Sequence, residues 1–144
     1  MASHTVAVPG GSLHVVEDGA GPPILLVHAG VADLRAWDAM VAPLVAAGYR
    51  VIRYDARGYG RSTTEDVAFS PRDDLRAVMD ARGADRAALV GNSRGGALAF
   101  DTAIESPERV VAVVGVAAGV GGFDGGETPE EQAIFEAYEA VDRA

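Results

Sequence analysis

Apolar positions recur along the chain in two rhythms that alternate from one end to the other. Residues 5–8 and 13–16 are short β-type runs joined by Pro9-Gly10-Gly11-Ser12, a cluster of turn formers, and predict a hairpin. Ile24-Leu25-Leu26-Val27 is apolar without interruption, the pattern of a strand buried on both faces of a parallel sheet. Residues 49–54, 86–90 and 110–117 predict three further strands. Between them, Trp37, Met40, Val41, Leu44 and Val45 fall near helical spacing. They predict a helix over 34–46, capped by Asp33, kinked or split at Pro43 and ended by Gly48. Pro71 suits the first position of a second helix over 72–82, with Ser70 as its cap, Asp73 and Asp74 in its first turn, and Gly83 as its stop. Small residues over 97–104 predict a third helix. A fourth begins at Thr128-Pro129-Glu130-Glu131 and carries Ile134, Phe135, Tyr138 and Val141 on one side. A hairpin followed by strand–helix units is an α/β fold: a mostly parallel twisted sheet of about six strands with helices on both faces.

Composition narrows the class. An apolar content of 49 % and a mean hydropathy of +0.12 predict a globular domain with a real core. Net charge is −9 and the isoelectric point about 4.6, which argues against nucleic acid or an anionic membrane as partner. Cysteine is absent, so no thiolate metal site or redox chemistry is expected. The first five residues show no basic region leading into an apolar core, and no run of about 18 apolar residues occurs. The expectation is a cytoplasmic protein. The glycine-rich stretch over 119–127 reads as a linker between a core over 1–118 and a helix over 128–144.

Chemistry concentrates in Val90-Gly91-Asn92-Ser93-Arg94-Gly95-Gly96. An apolar strand ends there and a small-residue helix follows, so the pattern G-x-S-x-G describes a sharp turn with a serine at its apex. Free amides and the positive end of the helix dipole favour developing negative charge at that position. Without Gly-Lys-Ser/Thr it is not a phosphate-binding loop, and Gly91 and Gly95 are too far apart for a dinucleotide fingerprint. A glycine–serine corner also occurs where an α/β domain merely turns, so the motif alone leaves catalysis open.

Three loops together resemble the α/β-hydrolase fold family, its N-terminal part, of the serine esterase and lactonase kind. His28-Ala29-Gly30 is similar to the His-Gly-x oxyanion loop, with Ala29 where the family has glycine, and Trp37 follows where a tryptophan is frequent. Asp55-Ala56-Arg57-Gly58-Tyr59-Gly60-Arg61-Ser62 matches D-x-R-G-x-G-x-S, and residues 91–96 match G-x-S-x-G-G. Ser106-Pro107-Glu108-Arg109-Val110 resembles the family's run into the next strand, and the likeness covers roughly the first 120 residues. The resemblance implies that Ser93 is the nucleophile and that the backbone amides of Gly30 and Arg94 form the oxyanion hole. It further implies a small-molecule ester, lactone or related acyl substrate, with no metal or cofactor. Asp55 reads as a carboxylate that pins its own loop, helped by Arg57, rather than as a catalytic acid. Arg94 is open between binding an anionic substrate group and simple solvation, and Trp37 reads as core or pocket wall.

A serine hydroxyl needs a base, normally a histidine, and in this fold the order is serine, acid, histidine. His4, His14 and His28 all precede Ser93, and none follows it. By the family topology His14 stands three strands away, roughly 14 Å at about 4.8 Å per strand. His28 is nearer, but the resemblance gives it a structural place beside the oxyanion loop. The chain therefore reads as a truncated member with little or no esterase activity of its own. Alternatives are a non-catalytic binding or scaffold protein and one half of a complementing pair. Strand 110–117 has the composition of an interior strand, and as an edge it invites self-association.

Overall fold

A computed structural model of the chain describes residues 1–120 and position 129. Twelve elements follow one another in the described residues: β1 (Ala2–Val8), β2 (Gly11–Asp18), β3 (Pro23–Val27), a 3-10 turn (Leu34–Trp37), α1 (Asp38–Ala46), β4 (Arg50–Tyr54), β5 (Thr63–Thr64), α2 (Pro71–Ala81), β6 (Ala87–Asn92), α3 (Arg94–Glu105), a second 3-10 turn (Pro107–Arg109) and β7 (Val110–Val116). The sheet runs β1-β2-β4-β3-β6-β7, with the two-residue β5 added beside β2. The hairpin β1–β2 is antiparallel and β2 also meets β4 antiparallel, whereas β4, β3, β6 and β7 are parallel. Nothing in the sequence marks Thr63–Thr64 as a strand. It pairs antiparallel with Gly11 and Ser12 at the start of β2, where the Thr63 hydroxyl also accepts from the Ser12 amide at 3.1 Å.

The uninterrupted apolar run of β3 is explained by what covers it. Leu25 and Val27 face one side, where Leu75, Val78 and Met79 of α2 and Ala99 of α3 complete the larger core. Ile24 and Leu26 face the other, packed with Val51 beneath Trp37, Val41 and Leu44. Alternate residues of one strand thus feed two cores, as the pleat requires. Trp37 belongs to the packing, as its apolar spacing implied.

Helix caps fall where the sequence places them. The Asp33 side chain accepts from the Arg35 amide at 2.9 Å, and Ser70 Oγ accepts from the Asp73 amide at 3.3 Å with Pro71 in the first turn. The first helix is split, but at Asp38 rather than at Pro43, which sits inside α1. The 3-10 turn ahead of the helix is anchored at its start, where the Leu34 amide donates to Asp55 Oδ1 at 2.9 Å. Strand β7 is apolar yet open. Val111, Val114 and Val116 are each about half exposed, and among the described residues no strand lies beyond it. No helix in the described residues is long and apolar enough to cross a membrane. The predicted linker and fourth helix fall almost wholly outside the described residues.

Candidate active site

Parallel pairing brings two loops to one edge of the sheet. Val27 is paired with Gly91, so β3 and β6 end side by side, and the loops after them meet above the same crevice. Strand β6 extends through Asn92, and α3 starts at Arg94. Ser93 is the entire connection. The strand ends two residues later and the helix starts three residues earlier than apolar spacing alone suggested, because the glycines that look like loop belong to both elements.

Ser93 has φ 52° and ψ −120°, a region that side-chain-bearing residues seldom occupy. Holding it there costs about 1–3 kcal/mol, which the surroundings must over-determine. They do so from both sides. The Ser93 amide donates to the Val116 carbonyl of β7 at 2.8 Å, and its carbonyl accepts the Ala97 amide at 3.0 Å to begin α3. The exposed side chain makes no capping bond to the helix, and among the described residues the hydroxyl has no partner.

Glycine is required around this corner by contact. A Cβ on Gly91 would meet the Gly96 amide at 2.5 Å and the Gly95 carbonyl closer still. On Gly95 it would lie 2.5 Å from the His28 carbonyl oxygen. The start of α3 therefore rests directly on the end of β3. This close approach puts Gly30 beside Arg94: a Cβ on Gly30 would stand 3.2 Å from Arg94 Cδ. Among the described residues neither the Gly30 nor the Arg94 amide has a hydrogen-bond acceptor. Ala29 is buried and needs no positive φ, so the loop accepts alanine where glycine is usual.

His28 is occupied. Its Nε2 accepts from the Ala56 amide at 2.9 Å, which places the ring proton on Nδ1, donated to the Ala29 carbonyl at 2.7 Å. Both nitrogens are spent holding two loops together, which excludes His28 as a stand-in base. Its ring also meets Tyr59 edge-on at 5.3 Å, and Tyr59 in turn accepts from Arg94 at 3.4 Å. His14 on β2 is three strands from β6, as expected, and His4 is on β1, farther still.

Asp55 is a pin. Oδ1 accepts from the Leu34 amide, while Oδ2 accepts from the Arg61 amide and His14 Nδ1, at 2.9, 2.9 and 3.0 Å. The carboxylate fills the space a Cβ on Gly60 would need. Arg57 does not assist it, contrary to the sequence reading. Its guanidinium instead makes a two-pronged pair with Asp74 of α2, at 2.7 and 2.8 Å, and donates to the Pro9 carbonyl at 2.7 Å. Phe69 covers its face at 4.6 Å. The Asp74 carboxylate raises the Arg57 pKa above its usual value despite desolvation. Next to this pair, burial drives the Tyr54 phenol above its ordinary range, and the charge of Asp74 adds to the effect. Asp74 had looked like a helix-dipole residue, and no local pattern marked Arg57 as its partner.

The family model for the alpha/beta hydrolase fold matches residues 22–139. The chain is 37 % identical over 121 residues to an epoxide hydrolase of Caballeronia sordidicola, covering 81 % of this chain and 37 % of that protein. It is 38 % identical over 109 residues to the 2-hydroxy-6-oxo-6-phenylhexa-2,4-dienoate hydrolase of Burkholderia cepacia, covering 71 % and 38 %. Among solved structures, epoxide hydrolase A of Mycobacterium thermoresistibile superposes with a TM-score of 0.74 at 32 % identity, over 79 % of this chain and 38 % of that one. The chain spans less than half the length of each of these proteins.

Proposed function

The chain belongs to the alpha/beta hydrolase fold family, a family of hydrolases, and from that premise we propose that Ser93 is an acyl-accepting nucleophile. The supporting observation is the strained corner at φ 52°, which leaves the hydroxyl uncapped next to the Arg94 amide, with the Gly30 loop packed against Arg94; among the described residues neither amide has an acceptor. Attack on a carbonyl carbon would place the oxygen's new charge toward those amides, each typically worth about 3 kcal/mol in the transition state. The substrate would be an ester, lactone or related acyl compound.

The relatives' names divide between epoxides and a 6-oxo compound, and the chemistry of residue 93 favours a carbonyl. A serine oxygen that opened an epoxide would be left in an ether, which water does not readily cleave. The same oxygen on a carbonyl gives an ester that water can release. Attack on the epoxide carbon also leaves no acyl oxygen for the two amides to hold.

No histidine of these 144 residues reaches Ser93. The base and its carboxylate are accordingly assigned to polypeptide outside these residues, whether contiguous or a separate docking chain. The 144-residue chain is expected to show no Ser93-dependent turnover of a nitrophenyl ester. Turnover abolished by Ser93→Ala would overturn that assignment. A fluorophosphonate probe separates this reading from a purely binding role, which the lack of a base favours. Labelling of Ser93 once the missing polypeptide is supplied supports the hydrolase, and an unlabelled Ser93 in its presence supports the scaffold.

A further inference from the structure

A second nucleophile–base–acid series lies on the opposite half of the sheet, and register alone assembles it. In the β1–β2 ladder Thr5 stands across from His14, so Ser3, two residues along β1, projects from the same face as a diagonal neighbour of His14. In the β2–β4 ladder Val15 is paired with Tyr54, which brings His14 opposite Asp55 at the end of β4. Three adjacent strands thus present Ser3, His14 and Asp55 in a row. Ser3 Oγ is 3.1 Å from His14 Nε2, and His14 Nδ1 is 3.0 Å from Asp55 Oδ2.

The hydrogen bonding fixes the direction of the proton. Both Asp55 oxygens already receive backbone amides, from Leu34 and Arg61, which leaves the carboxylate an acceptor toward His14. His14 therefore carries its proton on Nδ1 and offers the lone pair of Nε2 to the Ser3 hydroxyl. This is the division of roles that activates a serine. Asp55 and His14 are nearly enclosed, with 3 % and 12 % of their side chains exposed, while Ser3 is open to solvent. His14 and Asp55 also line a cleft with Asp33, Leu34, Arg35, Gly60 and Arg61, and Ser3 stands outside that lining. The site thus has an accessible hydroxyl and an oriented base, and it owes nothing to Ser93.

We propose that Ser3, activated by His14 and Asp55, is a second acyl-accepting hydroxyl that reacts with small activated esters. In the step, Ser3 Oγ bonds to the carbonyl carbon of 4-nitrophenyl acetate. The bond from that carbon to the nitrophenyl oxygen breaks, and its electron pair departs with nitrophenolate. The Ser3 proton passes to His14 Nε2 and on to solvent, leaving acetyl-Ser3.

The test uses the intact 144-residue chain and 4-nitrophenyl acetate, followed by tryptic mapping. The sequence has no lysine before Arg35, so Ser3 and Ser12 share the peptide 1–35, while Ser93 lies in 87–94. Ser12, whose hydroxyl among the described residues meets only Thr63, is an internal reference that needs no variant. Acetylation of Ser3 should exceed that of Ser12 by about 10²-fold or more, the usual scale of general-base assistance. It should persist in Ser93→Ala, vanish in Ser3→Ala and fall by a similar factor in His14→Gln, with Trp37 fluorescence reporting that each variant is folded. Ser3 acetylated no faster than Ser12, or at an unchanged rate in a folded His14→Gln variant, would overturn the proposal.

Discussion

Replacing Gly95 by alanine sets local propensity against tertiary contact, and the two predict opposite signs. Gly95 lies in the first turn of α3 with ordinary helical backbone, so alanine should help the helix by up to about 1 kcal/mol. The added methyl, however, would sit 2.5 Å from the His28 oxygen and 2.7 Å from the Val27 carbonyl carbon. A comfortable carbon–oxygen contact is about 3.3 Å. The start of the helix must therefore retreat from β3 by several tenths of an ångström or more, against main chain on both sides that cannot rotate away. Overpacking of this kind costs about 1–3 kcal/mol, and the upper end applies where the obstacle is backbone. The net expectation is a loss of roughly 1–2 kcal/mol. With a urea slope of about 1–3 kcal/mol per molar, the unfolding midpoint should drop by around 1 M. Ala97→Gly, two positions on, removes helix propensity without relieving any contact and should lose about 1 kcal/mol. Urea titration followed by far-ultraviolet circular dichroism and Trp37 fluorescence measures both. A Gly95→Ala midpoint above that of the parent chain would refute the claim that α3 rests on the end of β3.

Further outcomes follow from other contacts. Asp74→Asn leaves the Arg57 side chain, 2 % exposed, without its carboxylate, and should cost about 3–5 kcal/mol in the same titration. The Asp33 carboxyl is lowered to about 2, first by the Arg35 side chain and then by its amide. Because its folded value is depressed, its contribution to stability is complete above the usual carboxylate range and fades as pH falls toward about 2. Carbon-detected NMR titration should find that midpoint, and Arg35→Met should move it upward. We also propose that β7, apolar and half exposed along Val111, Val114 and Val116, pairs with a second copy. Sedimentation should show concentration-dependent association that Val114→Lys weakens, and a monomer at high concentration would contradict it.

What the sequence disclosed and what it withheld divide along contact range. The uninterrupted run at 24–27, the Ser70–Pro71 helix start and Gly91, which makes room for Gly95 and Gly96, each carry their reason within a few residues, and the structure reproduces all three. Element ends were less legible where main chain meets main chain. The glycines at 95 and 96 resemble loop, yet they let α3 begin at Arg94 against β3. Pairings across the sheet were not legible. Arg57 finds Asp74 17 residues away and His14 finds Asp55 41 residues away, and only the order of the strands brings either together. The same order brings Asp55 to the Leu34 amide, 21 residues away, at the start of the turn before α1.

The central claim is that residue 93 sits where a developing negative charge is stabilised. Ser93→Cys tests it without any general base, since the thiolate is itself the nucleophile and the chain contains no other cysteine. The rate of alkylation by iodoacetamide against pH gives the thiol pKa, with Ser12→Cys on β2 as reference. A value for position 93 at least one unit below the ordinary thiol value of about 8.5, with position 12 near it, is the result expected of a helix start and two free amides. A thiol at 93 titrating at or above that of position 12 would contradict the account.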